Sequence, residues 1–133
     1  MIYTSYFANI RNFPDNFIPI GICAKPPSWF TGYNEKRFAP SYSILMDYKQ
    51  NHDDLIYDSR YTNEILNTID VVQIINYLQS QYPDQSIVLC CYEKSEEFCH
   101  RHLLANRLKE LGIEVEEFDK TKDYNNIDYG DYI

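Results

Sequence analysis

Two different spacings of apolar residues along the chain predict an α/β fold. Apolar residues recur every three or four positions within Val71–Gln81, after Asp70 as an N-cap, which is typical of a helix with one buried face. The segment Ser86–Cys91 is short and almost wholly apolar, as expected for a strand buried on both faces of a parallel sheet. Similar patterns predict further strands at about 1–7 and 17–24, and helices at about 41–50 and 54–66.

The clearest unit is a strand, a helix and a second strand in the C-terminal half of the chain. After Ser86–Cys91, a helix is predicted over 96–111, with Ser95 as its N-cap and Gly112 just past its end. Residues 113–118 alternate between apolar and polar types, which indicates another strand. Parallel strands joined through a helix form a right-handed crossover. We therefore expect a three-layer, Rossmann-like α/β fold with a mostly parallel sheet.

The helix should pack on the sheet through one apolar stripe. That stripe consists of His100, Leu104, Leu108 and Leu111. We expect one domain over residues 1–118 and an acidic, tyrosine-rich tail over 119–133, which is either frayed or a docking segment that imitates nucleic acid.

Charge and cysteine content narrow the classes of protein. The net charge of −8 repels a phosphate backbone, so nucleic acid is not expected as a partner. The chain has no run of eighteen apolar residues and its start does not resemble a signal peptide, so we expect a cytoplasmic protein that does not enter a membrane. Four cysteines in that compartment indicate reduced thiols or ligands rather than a disulfide framework.

The turn between the predicted strand and helix concentrates the reactive residues. It contains Cys91, Glu93, Cys99, His100 and Arg101. Open parallel sheets bind ligands outside the carboxyl ends of their strands, and the first turn of the following helix adds free N–H groups. A functional site is therefore predicted here.

Three of these residues are candidates for catalysis. Glu93 is predicted to act as a general base, a nucleophile toward a sugar carbon or an acceptor for ribose hydroxyls; the alternative is a loop carboxylate paired with Lys94 or Arg101. Cys91 is a candidate nucleophile or base. His100 points inward, where it either orients a reacting group and carries a proton or bonds a backbone carbonyl.

The cysteine spacing argues against a metal centre. Cys91 and Cys99 can approach His100, but seven residues between two cysteines is not a standard zinc pattern and the set lacks a fourth ligand. Acids near Cys99 also disfavour its thiolate. We therefore predict reduced thiols, no tightly bound metal and no cofactor, with Cys90 in the core.

The same residues carry a family resemblance. Part of the chain is similar to the signature of the family called domain of unknown function 488, in particular its short members. The similar residues are Leu89, Cys90 or Cys91, Glu93 and the run Cys99-His-Arg. The opening Tyr3-Thr-Ser-Tyr-Phe-Ala and the central Pro27-x-Trp29-Phe30 also resemble those members, so the likeness covers about residues 1–118.

The resemblance implies a compact three-layer α/β fold with the signature at one end of the sheet, and no established activity. Longer members carry Asp-Val-Arg after the second strand. This chain has the run 22–25, Ile-Cys-Ala-Lys, in its place, where Lys25 keeps the positive charge.

Two functional hypotheses follow. The first is a small-molecule site, for a nucleotide or another phosphorylated metabolite, in which Cys99 and the helix N-terminus accompany Tyr6, Lys25, Trp29, Glu93 and Arg101. If this site is catalytic, a hydrolase or a glycosyl or nucleotide transferase is expected. The second hypothesis is a non-catalytic interaction or inhibitor protein of the phage accessory type, which docks by its acidic, tyrosine-rich surface.

Overall fold

A computed structural model describes residues 1–93 and 98–124 and contains one four-stranded, all-parallel sheet. Its strands lie side by side in the order β2-β3-β1-β4. The strands are β1 (Ile2–Tyr6), β2 (Phe17–Gly21), β3 (Ser86–Cys91) and β4 (Val115–Glu117). The predicted α/β class with a Rossmann-like parallel sheet is confirmed, and Ser86–Cys91 is an interior strand as expected.

The helices begin where the sequence offers capping side chains. Asp70 accepts a hydrogen bond from the backbone N–H of Gln73, while Ser41 and Asp53 cap the two preceding helices in the same way. The α-helices are α1 (Tyr42–Asn51), α2 (Asp54–Glu64), α3 (Val71–Gln81) and α4 (His100–Glu110). Short 3-10 helices cover Phe7–Asn12, Lys36–Phe38 and Leu66–Thr68. No helix within the described ranges is long and apolar enough to cross a lipid bilayer.

The register of the sheet brings the strand ends together. Cys91 at the end of β3 lies beside Tyr6 at the end of β1, and Cys90 lies beside Gly21 at the end of β2. The chain continues this alignment past β2, because the backbone N–H of Ile22 donates to the carbonyl of Cys90 over 3.0 Å. The residues that follow β2 and β3 therefore meet at one edge of the sheet.

The predicted start of the last helix is wrong. Helix α4 begins at His100 rather than at residue 96, and its N-cap is Cys99 rather than Ser95. Cys99 is extended, with φ −157° and ψ 147°. The ring of Phe98 stacks on Tyr48 at 5.5 Å, so tertiary packing holds these two residues out of the helix. Residues 94–97 lie outside the described part of the chain, and so does the predicted pairing of Lys94 with Glu93.

The stripe on α4 is confirmed at three of its four positions. Leu104 and Leu108 are fully buried and His100 is 6% exposed, but Leu111 is 48% exposed. Leu111 leaves the stripe because the helix ends at Glu110 and Gly112 then adopts a left-handed conformation with φ 83°. The remaining buried positions of α4 are Arg101 and Ala105.

The first part of the predicted tail packs on the sheet. Tyr124 stacks on Phe118 at 5.1 Å and contacts Phe17 at 5.2 Å and Tyr3 at 5.4 Å. Tyr3 and the rings packed on it lie on the opposite face of the sheet from Thr4, because successive side chains of a strand point to opposite faces. The rest of the tail, residues 125–133, lies outside the described ranges.

Candidate functional site

A cavity of about 240 Å³ lies at the carboxyl ends of β2 and β3. Lys25 and Glu93 line its exposed side, whereas Cys99 and His100 line its buried side. This is the edge of a parallel sheet where ligands bind in open α/β folds.

Three aromatic rings form one wall of the cavity. Tyr48 stacks on Phe98 at 5.5 Å, and Tyr57 meets Phe98 edge to face at 5.1 Å. The Tyr48 hydroxyl donates to Asp54 over 2.6 Å, which with partial burial raises its pKa to about 12. Burial raises the pKa of Tyr57 further still, with the Glu93 carboxylate adding to the shift. Both hydroxyls therefore stay protonated near pH 7.

His100 is held in one tautomer by the backbone. Its Nε2 lies 2.6 Å from the carbonyl oxygen of Ile22, which can only accept, so Nε2 carries the proton and donates. The other nitrogen, Nδ1, then has a free lone pair and lies 3.7 Å from the Cys99 sulfur. Burial lowers the pKa of His100 to about 4, so the ring is neutral near pH 7. The predicted carbonyl contact is present, and it leaves the Nδ1 lone pair able to accept a hydrogen bond or bind an ion.

The sulfurs of Cys91 and Cys99 lie in direct contact, paired as disulfide partners. The expectation of separate, reduced thiols is corrected at these two positions, because the extended backbone of Cys99 turns its side chain toward the end of β3. Their Cα atoms are 7.5 Å apart. Cys23 and Cys90 are free and buried, Cys90 in the core as predicted. Burial raises the pKa of the Cys23 thiol to about 12 and that of Cys90 beyond it.

Arg101 is fully buried and does not line the cavity, which corrects the expectation that it joins Glu93 in the ligand site. It lies at a buried helix position, one turn before Leu104 and Ala105. Its guanidinium forms two bonds to Glu117, Nε to Oε1 at 3.1 Å and Nη2 to Oε2 at 2.9 Å. The remaining nitrogen, Nη1, donates to the carbonyl of Glu93 at 2.6 Å and to the Cys91 sulfur at 2.8 Å. Arg101 therefore fixes the positions of the Glu93 backbone and the Cys91 sulfur without lining the cavity itself.

The family comparison covers the residues that line the cavity. Residues 14–112 match the family model DUF488-N3a, described as the active DUF488-N3 subclade. The chain belongs to the DUF488 family. No curated protein and no solved structure matches it significantly. The matched range of this DUF488 protein includes every residue that lines the cavity, but it excludes β1 and β4.

The structure assembles only part of the predicted site of the DUF488 protein. The cavity is lined by Lys25, Glu93, Cys99 and His100. The sulfur of Cys91 contacts that of Cys99. Outside the cavity lining, the Tyr6 ring lies 5.9 Å from the Arg101 guanidinium carbon. Trp29 is 59% exposed and meets the ring of Phe7 edge to face at 6.3 Å.

Sequence reasoning missed the residues that the first two helices contribute. Tyr57 and Tyr61 recur at i and i+4 and are both buried, a signal of a core-facing helix stripe that lay in the printed sequence. Asn34 was also missed. Its amide donates to the carbonyl of Cys23 at 2.8 Å and accepts from the Cys23 N–H at 3.3 Å, which fixes the segment that leads to Lys25.

Proposed function

We propose that this DUF488 protein binds a nucleoside or nucleotide in the cavity at the ends of β2 and β3. The observation that carries the proposal is the combination of an aromatic wall with one carboxylate and one ammonium group around about 240 Å³. Cavities of this kind, mostly apolar with a few convergent polar groups, are the usual form of small-molecule sites.

Each part of such a ligand has a matching group. A base can stack on Phe98 and Tyr48, because every base has a π-face. The Glu93 carboxylate is suited to accept hydrogen bonds from ribose hydroxyls. Lys25, on the exposed side, supplies a point charge for a phosphate.

The same arrangement supports a reaction at the bound ligand. The Glu93 carboxylate can attack a sugar carbon or deprotonate a hydroxyl, and the His100 Nδ1 lone pair can accept a hydrogen bond that orients a reacting group. The matching subclade is described as active. The reaction classes that fit these groups are hydrolysis and glycosyl or nucleotide transfer.

Calorimetric titration of a panel of nucleosides and nucleotides tests the proposal. We expect saturable binding, and Phe98→Leu should weaken it by about 5- to 150-fold, since a stacked base is worth roughly 1–3 kcal/mol. Trp29→Leu is the matched control, because it removes an exposed aromatic ring outside the cavity lining and should leave the affinity unchanged. A panel in which no compound binds would contradict the proposal and favour the interaction-protein hypothesis.

A further inference from the structure

We propose that, once a dithiol reductant has supplied two electrons and two protons and split the Cys91–Cys99 pair into two thiols, Cys91, Cys99 and Glu93 form a binding site for a zinc-like divalent cation at the buried side of the cavity, with His100 as a fourth ligand. One ligand atom from each of the three residues lies within 4.8 Å of the other two. Tetrahedral zinc with bonds of about 2.0–2.3 Å places its ligand atoms roughly 3.3–3.8 Å apart. Rotation of the reduced Cys91 and Cys99 side chains, which separates the two sulfurs, therefore makes room for the ion.

The backbone separation of the two cysteines suits an ion between the sulfurs. Their Cα atoms are 7.5 Å apart, whereas disulfides usually span about 4.4–6.8 Å. In the reduced chain, Cys91 and Cys99 therefore present their sulfurs to one point from backbones that lie farther apart than those of most disulfide partners. A metal ion held by both thiolates fills that additional distance.

His100 is oriented as a metal ligand usually is. Ligating histidines donate their second ring N–H to a carboxylate, a carbonyl or a water, which fixes the tautomer. Here Nε2–H donates to the carbonyl of Ile22 and leaves the Nδ1 lone pair on the side of Cys99. The Nδ1 to Sγ distance of 3.7 Å is close to the separation of about 3.6 Å expected for one nitrogen and one sulfur on tetrahedral zinc.

The surrounding charges favour thiolates without repelling a cation. Arg101 donates from Nη1 to the Cys91 sulfur at 2.8 Å, a hydrogen bond that stabilises a thiolate. The same guanidinium is neutralised by its two bonds to Glu117. Two sulfurs, one imidazole nitrogen and one carboxylate make a donor set that suits zinc and not magnesium or calcium.

A metal ion held by these residues differs from the sequence prediction of no tightly bound metal. The spacing is irregular, but the extended residue Cys99 folds back on the end of β3 and compensates for it. A role for the ion in chemistry rests on the proposed function: Glu93 and Cys99 line the cavity, so a ligand oxygen placed there can join or replace a ligand of the ion. The binding of the ion itself does not depend on that role.

Cobalt(II) titration of the full chain, isolated without a histidine tag and kept under reducing conditions, tests the site. We expect one equivalent to bind, with sulfur-to-cobalt charge-transfer absorption and the visible bands of a tetrahedral complex, and zinc should displace the cobalt. Cys91→Ser and Cys99→Ser should each lower the affinity by more than the roughly 10- to 100-fold that loss of an outer partner costs. Glu93→Gln should weaken binding while keeping the charge-transfer band.

Cys90→Ala is the matched control, because Cys90 is the sequence neighbour of Cys91 and is buried in the core away from the cluster. It should bind cobalt like the parent chain. A reduced parent protein that binds no cobalt, or one that binds it equally well after both Cys91→Ser and Cys99→Ser, overturns the proposal. If a serine variant does not fold, the parent titration and Glu93→Gln still decide.

The two proposals fail separately. Cobalt binding in the absence of any nucleotide supports the metal site alone. Nucleotide binding by chelator-treated protein that binds no cobalt supports the cavity alone.

Discussion

Arg101 and Glu117 form a two-bond ion pair that ties α4 to β4 behind the site. The guanidinium is fully buried, while the Glu117 side chain is 29% exposed. Glu117 also accepts a hydrogen bond from Thr4 at 2.6 Å, so one carboxylate joins β1, β4 and α4. The pair holds the Arg101 nitrogen that bonds the Glu93 carbonyl and the Cys91 sulfur.

Glu117→Gln should destabilise the fold. The substitution leaves a buried guanidinium without its counter-charge, and removing one partner of a buried pair costs about 3–5 kcal/mol. Partial exposure of Glu117 reduces this, so we expect about 2–3 kcal/mol in urea denaturation. Glu110→Gln removes the acid of an exposed pair with Arg107 and should cost less than about 0.5 kcal/mol. Equal losses in the two variants would show that the buried pair is not stabilising.

His100 should make stability depend on pH. Its pKa is lowered from 6.5 to about 4 in the folded chain, so the unfolded chain binds more protons between these values. The free energy of unfolding is therefore highest above pH 6.5 and falls, by at most about 3 kcal/mol, as the pH drops toward 4. Urea denaturation measured from pH 7 to pH 5 should show that the free energy of unfolding falls less steeply with decreasing pH for His100→Gln than for the parent chain. His52→Asn, at an exposed helix end, should keep the pH dependence of the parent chain. A His100→Gln slope as steep as the parent's would assign the pH dependence to other groups.

Asn34→Ala should weaken ligand binding through the backbone. The substitution removes both hydrogen bonds to Cys23, and each unsatisfied buried backbone group costs roughly 1–3 kcal/mol. The segment that carries Lys25 is then no longer fixed at the cavity, so we expect lower affinity in calorimetry together with lower stability. Asn63→Ala, which removes two exposed side-chain hydrogen bonds, one to Ser59 and one from Asn67, is the control for both measurements. Parent-like affinity for Asn34→Ala would mean that this segment does not shape the site.

Cys23 and Cys90 should resist alkylation in the native protein. Burial raises the pKa of both thiols, so neither forms appreciable thiolate at pH 8. Treatment with iodoacetamide followed by peptide mapping should find them unmodified until the chain is unfolded. Rapid labelling of Cys90 at pH 8 would show that the sheet core opens to solvent far more often than its complete burial implies.

The local patterns predicted the fold well where one residue's environment depends on near neighbours. Asp70 as a cap, the interior strand Ser86–Cys91 and Gly112 past the helix end all follow from short-range chemistry. The start of α4 was missed because Phe98 is held by a ring on a helix some fifty residues away in sequence. The burial of Arg101 was missed for the same reason, because its partner Glu117 lies on strand β4 and not on the same helix.

The sequence predicted at which edge of the sheet the candidate site lies, but it did not predict which residues form the aromatic wall. A cluster of reactive residues after an apolar strand indicated the correct edge of the sheet, and four of the predicted residues line the cavity there. Two rings of the aromatic wall, Tyr48 and Tyr57, come from α1 and α2, whose helical patterns carry no sign of which strand end they cover.

The most direct test of the account is the map of amide shifts in ¹⁵N-labelled protein when a nucleotide that binds by calorimetry is added. We expect the largest changes to cluster at residues around the cavity, namely Lys25, Tyr48, Glu93, Phe98 and His100, while Trp29 and Arg107 stay unchanged. Shifts that cluster around Trp29 or along α3, with the cavity residues unmoved, would contradict it.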